Sequence, residues 1–345
     1  MIPSQWLDVG FKFLSEELTL YIFSKNKKPY YTQLQEMLNL LITYRYLPYQ
    51  YIRHGLYKID APENYFDFLP PRLIQQFVAK VNPEEYEDMV ENKYKLRNIL
   101  EGHGLPCVRE IVRRQADGRL FNANGEEISK TAATELITKY GPKIFVKETF
   151  GNRGIGAMII DGSTDQDDMF GLPGDILYQP IIHQHPILEK LFPYSVNTVR
   201  IDTLKFNDKY ISNGAVLRMG CKKNHVDNWS AGGIIVGINL KDGRLYGKGK
   251  QAAKYGGLEY DAHPDTGVTF ADLQIPYWQD ILDVVGKAAE IMAPLVSLGW
   301  DVALTPDGPV IVEANGPWDT CLTQEGAGGL AKTRLGEMVI QNSRS

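Results

Sequence analysis

Long apolar runs are absent from this sequence. The richest stretch, Leu34 to Ile42, is broken by Gln35, Glu36 and Asn39. Nothing approaches the roughly 18 apolar residues that a membrane-spanning helix needs. Cysteine is scarce as well. Cys107, Cys221 and Cys321 stand far apart, odd in number and without a C-x-x-C pair. That argues against a disulfide framework or a structural zinc site, and it fits a reducing compartment. Neither sign of charge dominates. With 37 basic against 42 acidic residues the formal net charge is −5, so the overall balance calls for neither nucleic acid nor an anionic membrane, while local basic patches stay open. Charges run through the N-terminal MIPSQWLDVGFKFLSEE, which does not read as a secretory signal. A cytoplasmic enzyme is the expectation.

What the chain does contain is an ordinary globular composition, 43% hydrophobic and 23% charged over 345 residues. That is enough for two or three sub-domains around a shared cleft. Residues 1–90 read as a helical segment. Phe11, Leu14, Leu18, Tyr21 and Ile22 recur at helical spacing, as do Leu34, Met37, Leu38, Leu41 and Ile42, and prolines from Pro48 to Pro83 cut the segment into short helices. Its many tyrosines, among them Tyr30, Tyr31, Tyr44 and Tyr51, read as half-buried aromatics, with a ligand groove or partner surface as the alternative. The helix ENKYKLRNILEGHG opens the next region and stops at glycine. Short strands follow in CVREIVRR, GRLFNANG, KIFVKET, GAMIID and DILYQPII, then in NTVRIDTLKF, YISNGAVLRM, GGIIVGINL and GRLYGKG. Asn207–Asp208 and Asp242–Gly243 are hairpin signals. An amphipathic helix from about Tyr277 to Met292 precedes GWDVALT and PVIVEANG, joined at Pro306–Asp307–Gly308. The pattern predicts an α+β protein with antiparallel sheets, divided into residues 1–90, 91–180 and 181–345.

Two segments carry chemistry. Lys147 ends the strand KIFVK, and the glycine run Gly151, Asn152, Arg153, Gly154, Ile155, Gly156 follows at once. Glycines at this spacing let backbone N–H groups converge on an anion. Because AMIID after the run reads as a strand, the run is a flap between strands that can close over phosphates, with Lys147 as a point charge. A glycine-rich hairpin without a ligand is the alternative. Near the C-terminus, Asp301 opens one strand, and Glu313 and Asn315 share a face of its hairpin partner. Two carboxylates and an amide oxygen are hard ligands suited to Mg²⁺, and Glu313 can bridge two ions. Solvated acids on a surface hairpin are the bland reading, weakened by the apolar Val302, Leu304, Val310, Ile311 and Val312 around them.

A lysine strand with a glycine loop early and Asp…Glu-x-Asn late resembles the ATP-grasp superfamily over roughly residues 90–325. The likeness is greatest to the sugar-transfer-associated, or α-L-glutamate-ligase-related, branch, through NTVRIDTL, AVLRMG, VDNWSAGG, HPDTG and GWDVALTPDGPVIVEANG. The resemblance implies an ATP-grasp fold, two α+β lobes clamping ATP, with the flap on the first lobe and the metal site on the second. It places Lys93 and Lys147 on the ATP phosphates. Gln179 and the backbone near Ile181, with His183 beside them, fall at the adenine hinge. Arg200 falls near the transferred phosphate, and Asp301, Glu313 and Asn315 on Mg²⁺. Arg218 is a second guanidinium able to grip an acyl phosphate. Asp227, Asn228, Ser230, Gly232 and Gly233 form a candidate substrate loop, with an ordinary turn as the alternative. His185 reads as surface loop and His263 as part of a turn.

The implied reaction is an ATP- and Mg²⁺-dependent ligation of a small-molecule carboxylate to an amine through an acyl phosphate. A sugar acid or amino acid in polysaccharide or glycoconjugate assembly is the setting the branch's name suggests. An ATP-grasp phosphotransferase and a non-catalytic nucleotide-binding regulator are the alternatives. One departure matters: such ligases begin with a small α/β lobe, and here a helical segment takes its place, so substrate contacts do not carry over.

Overall fold

The computed structural model describes residues 15–150, 156–161, 164–222, 227–271 and 273–344. The first sheet holds β1 (Val112–Arg114), β2 (Leu120–Asn122), β3 (Glu127–Ile128), β4 (Lys143–Glu148), β5 (Met158–Asp161) and β6 (Ile176–Pro180), in the order β3-β2-β1-β6-β4-β5. Every pairing in it is antiparallel. One face packs on the helices Lys130–Lys139 and Gln166–Phe170 through Val112, Ile137, Ile144, Val146, Phe170 and Tyr178. Alternation along β4 sends Ile144 and Val146 into that core and Lys143, Phe145 and Lys147 to the other face.

The second sheet is also antiparallel. It comprises β7 (Thr198–Phe206), β8 (Lys209–Ile211), β9 (Ala215–Met219), β10 (Ile234–Ile238), β11 (Leu245–Gln251), β12 (Glu259–Tyr260), β13 (Ser297–Thr305) and β14 (Gly308–Asn315), ordered β12-β11-β10-β9-β7-β13-β14 with β8 on β7. Asn207 and Asp208 both take positive φ, 48° and 58°, as a tight two-residue hairpin turn between β7 and β8 requires. The Trp278–Ile291 helix buries Ile281, Val285, Ala288 and Ala289 in one core with Val199, Ile201, Leu217, Trp300 and Val302 from the sheet. The same alternation turns Thr198, Arg200, Arg218 and Asp301 to the opposite face.

The helical N-terminal segment packs on the C-terminal end of the chain. Leu40, Tyr51, Leu73, Ile74 and Phe77 share a core with Trp318, Leu335 and Val339. Polar clamps fix the junction: Asn82 accepts from the N–H groups of Val296 and Ser297 at 2.9 Å, and Gln324 bonds both the N–H and the carbonyl of Leu69. The spacing of Leu34, Leu38, Leu41 and Ile42 does mark a helix, Tyr30–Tyr44, yet these side chains face outward; Gln33, Leu40 and Tyr44 face in. Phe11, Leu14 and residues Gly151, Asn152, Arg153 and Gly154 of the glycine run lie outside the described residues.

The chain passes between the two sheets at residues 106–111 and again at 181–185. Backbone bonds stitch both passages to the β13–β14 hairpin: Ile311 N–H to Pro106 O at 3.0 Å, Val108 N–H to Ile311 O at 3.1 Å, and His185 N–H to Leu304 O at 2.7 Å.

Candidate active site

The exposed face of β4–β6 and the polar face of β7, β9, β13 and β14 enclose a cavity of about 560 Å³. From the first sheet it receives Lys143, Phe145, Lys147, Ile159 and Gln179, and from the second Thr198, Arg218, Asp301 and Glu313. Residues Ile181, Ile182 and His183, in the second passage between the sheets, form one wall with Val108 from the first. Lys93 enters as the first residue of the Lys93–Gly102 helix, which Asn92 caps by accepting from the N–H groups of Tyr94 and Lys95. Its own N–H donates to Thr149 O at 3.2 Å, fixing the helix start against the end of β4.

Strand register assembles the charged centre. Asp301 pairs with Arg200 on one side and with Glu313 on the other, and Arg218 lies one diagonal step away, opposite Thr198. Arg200 grips Asp301 with both arms, Nε to Oδ1 at 2.6 Å and Nη2 to Oδ2 at 2.7 Å, and Arg218 Nη1 adds a bond to Oδ1 at 2.8 Å. The other arm of Arg218 reaches Asp227 Oδ1 at 3.2 Å, and the Thr198 hydroxyl donates to Asp227 Oδ2. Although burial alone would raise it, the two guanidiniums hold the Asp301 carboxyl far below the usual range. Glu313 moves the opposite way, raised by burial and then by the Asp301 charge beside it, with Lys93 Nζ 3.9 Å away pulling it down.

Lys147 is buried, and burial, helped by the charge of Lys93, lowers its ammonium to about 8. No hydrogen-bond or ion-pair partner holds it among the described residues. A buried ammonium in that state is stabilised by an anion brought to it. The oxygen donors meet the demands of Mg²⁺ as well. A carboxylate offers about four lone-pair directions; arginines occupy two on Asp301 Oδ1 and one on Oδ2, leaving one direction on Oδ2. Asn315, two residues along β14, is the amide expected to join them, its Nδ2 donating to Gly299 O at 3.5 Å. Among the described residues no three His, Cys, Asp or Glu side chains form a metal cluster by themselves; two carboxylates, an amide and phosphate oxygens are the set that fits here.

Not every residue singled out in the sequence reaches the cavity. Arg200 stands behind Asp301, and Asn315 and Gly156 lie off the wall. The Asp227–Gly233 loop divides. Asp227 and Asn228 line the cavity, whereas Ser230 belongs to a single 3₁₀ turn whose start Asn228 caps at 3.0 Å. A Cβ on Gly233 would come within 2.6 Å of Asp227 O and 2.7 Å of Met219 O, so the close approach it permits is to its own backbone. Gly232, at φ 98°, closes the turn. His185 caps the Pro186–Leu191 helix, and His263 is buried with Nε2 2.9 Å from Gly220 O. Sequence reasoning passed over Lys143, Phe145, Thr198 and Tyr194, which line the cavity. Alternation in KIFVK was signal enough for the first two; the loop carrying Tyr194 is shaped by buried Gln184, which bonds Phe192 O, Ser195 O and Asn197 N–H, and had none.

Residues 167–337, which carry the second sheet and its charged centre, match the family described as sugar-transfer associated ATP-grasp. Over that stretch, just under half of the chain, the sequence is similar to the sugar-transfer-associated ATP-grasp family. No curated protein matches this chain. Among solved structures it is similar to the ATP-grasp ligase PsnB complexed with a phosphomimetic variant of its minimal precursor, Mg and ADP, at 12% identity over 77% of this chain and 62% of that one, TM-score 0.44. The L-amino acid ligase from Bacillus licheniformis gives 13% identity over 73% and 48%, TM-score 0.43. Biotin carboxylase from Campylobacter jejuni gives 12% over 77% and 50%, TM-score 0.44. The chain therefore spans less than two thirds of the length of these structures.

Proposed function

We propose that the chain is an ATP- and Mg²⁺-dependent carboxylate–amine ligase, acting on a sugar acid or amino acid in polysaccharide or glycoconjugate assembly. The observation that carries this reading is the meeting in one cavity of a buried Lys147, without a partner among the described residues, with the Asp301–Glu313 pair. Lys93 and Lys147 enter the cavity from the side of the first sheet and Arg218 from the second, and cations placed this way suit an anionic nucleotide. Adenine would lie on Phe145, Ile159 and the Gln179–His183 wall, with the phosphates between Lys93 and Lys147. Mg²⁺ on Glu313, Asn315 and the remaining lone pair of Asp301 would neutralise phosphate charge.

In this reading a substrate carboxylate oxygen attacks the γ-phosphorus, the bond to the β–γ bridging oxygen breaks, and ADP leaves an acyl phosphate. An amine then attacks the acyl carbon, inorganic phosphate departs with the bonding pair, and the amine releases its proton. The protein's part is placement and charge stabilisation. Arg218 lines the cavity with its guanidinium held by Asp301 and Asp227, so it meets the acyl phosphate already oriented.

Incubation with Mg-ATP, candidate carboxylates and hydroxylamine tests the reading through ADP and hydroxamate. Hydroxamate supports an acyl phosphate. ADP with a stable phosphorylated product and no hydroxamate would replace the ligase by a phosphotransferase. Nucleotide binding without turnover across the panel would favour a non-catalytic regulator.

A further inference from the structure

Exposed large apolar side chains crowd one short stretch of the molecule, and they belong to the helical segment, remote in sequence from the cavity. On the Tyr30–Tyr44 helix, Tyr31 is 75% exposed, Leu34 62%, Leu38 47% and Ile42 73%, with Tyr30 and Leu41 beside them. At 3.6 residues per turn these six fall within an arc of about 120°. The flanking residues Ile22, Phe23 and Leu47 are exposed as well. The adjoining face is committed, because Leu40 and Tyr44 lie in the core shared with the C-terminal helices. So the helix is held flat on the surface with its apolar arc outward, and an exposed patch of this size marks an interaction site.

Charge decides what covers it. The helix has one acid, Glu36, and it is turned away from the arc, bonded to Lys28 at 3.0 Å and to the Tyr51 hydroxyl at 2.6 Å. Lys25 precedes the helix and Arg45 follows it, both exposed. Although the chain as a whole carries −5, this face is apolar with a base at each end. Laying a second copy on it would set Lys25 and Arg45 against the same bases of the other chain, whichever way the helices ran. An anionic lipid surface meets no such conflict. Its headgroups take the bases and the tyrosines, and its acyl boundary takes the leucines and isoleucine.

We propose that the outward face of the Tyr30–Tyr44 helix docks on an anionic membrane surface, the helix lying in the headgroup plane without crossing. Among the described residues no helix is long and apolar enough to cross a membrane. The inference is independent of the reaction assigned to the cavity. The test is co-sedimentation of the full chain with vesicles of equal parts phosphatidylglycerol and phosphatidylcholine, and with phosphatidylcholine alone. Binding to the first should exceed binding to the second and weaken with added salt. The combined variant Leu34→Glu/Leu38→Glu/Ile42→Glu should bind at least about tenfold more weakly. Because all three side chains are exposed, its melting temperature should match the parent's. Failure to bind either vesicle overturns the proposal. So does binding that the triple variant retains, or a concentration-dependent doubling of mass, without lipid, that the variant abolishes; that last result would assign the face to a second copy.

Discussion

The two sheets bring charge to the cavity in opposite ways. On the second sheet Arg200, Arg218, Asp301 and Asp227 neutralise one another through bonds of 2.6–3.2 Å, set by strand register before any ligand arrives. On the first sheet Lys147 is buried with no such partner among the described residues. One sheet therefore stores a finished electrostatic structure, and the other holds a buried charge without one among the described residues. The difference separates groups whose removal harms the fold from groups whose removal harms binding.

The sharpest break of this comparison is Glu313→Gln, on the strand between the two regimes. Turnover should fall by about a thousandfold or more with the melting temperature kept; full retained activity would refute the metal assignment. Asp301→Asn comes next. It takes the buried carboxylate from Arg200 and leaves Arg218 only Asp227, so denaturant unfolding should show a loss of about 3–5 kcal/mol. Lys147→Met should do the reverse. By calorimetry, ATP affinity drops about ten- to a hundredfold, while the melting temperature stays level or rises because a desolvated charge is gone. Equal destabilisation by the last two variants would erase the contrast between the sheets.

The smallest effect is a pH dependence. Lys147 loses its proton near 8 in the free protein, and bound phosphates would raise that value. Below pH 8 it is protonated in both states, so affinity for ATP is flat. Above pH 8 binding must take up a proton, and affinity falls by up to about tenfold per pH unit. Lys147→Arg should flatten the profile, because arginine stays charged throughout.

Much of the fold was legible where local patterning decides it. KIFVK, ILYQP, TVRIDTLKF and GWDVALT all appear as strands, and the turn at Pro306–Asp307–Gly308 sets Asp301 opposite Glu313. What could not be read is which distant strands become neighbours. Arg200 and Asp301 are 101 residues apart, and neither shows in isolation that its charge will be spent on the other; hence Arg200 was expected near phosphate and stands behind Asp301. The Lys130–Lys139 helix was missed because KTAATELITK buries only Ala133 and Ile137, too few to mark a face. Periodicity in the Tyr30–Tyr44 helix fixed its conformation but not its orientation, because its apolar residues cover an arc of about 200°, wider than the face it buries.

The paired stitches on the β13–β14 hairpin limit how the cavity can breathe. Two fixed points define a line, and the only rigid rotation of the first sheet that preserves both is about that line. In the strand order the stitched passages lead into β1 and β6, with β4–β5 on one flank and β2–β3 on the other. A rotation about that line that lowered β4–β5 towards Glu313 would lift β2–β3 away from it. The bond from Lys93 N–H to Thr149 O lies off the pivot and works as a latch, released at a cost of about 1 kcal/mol.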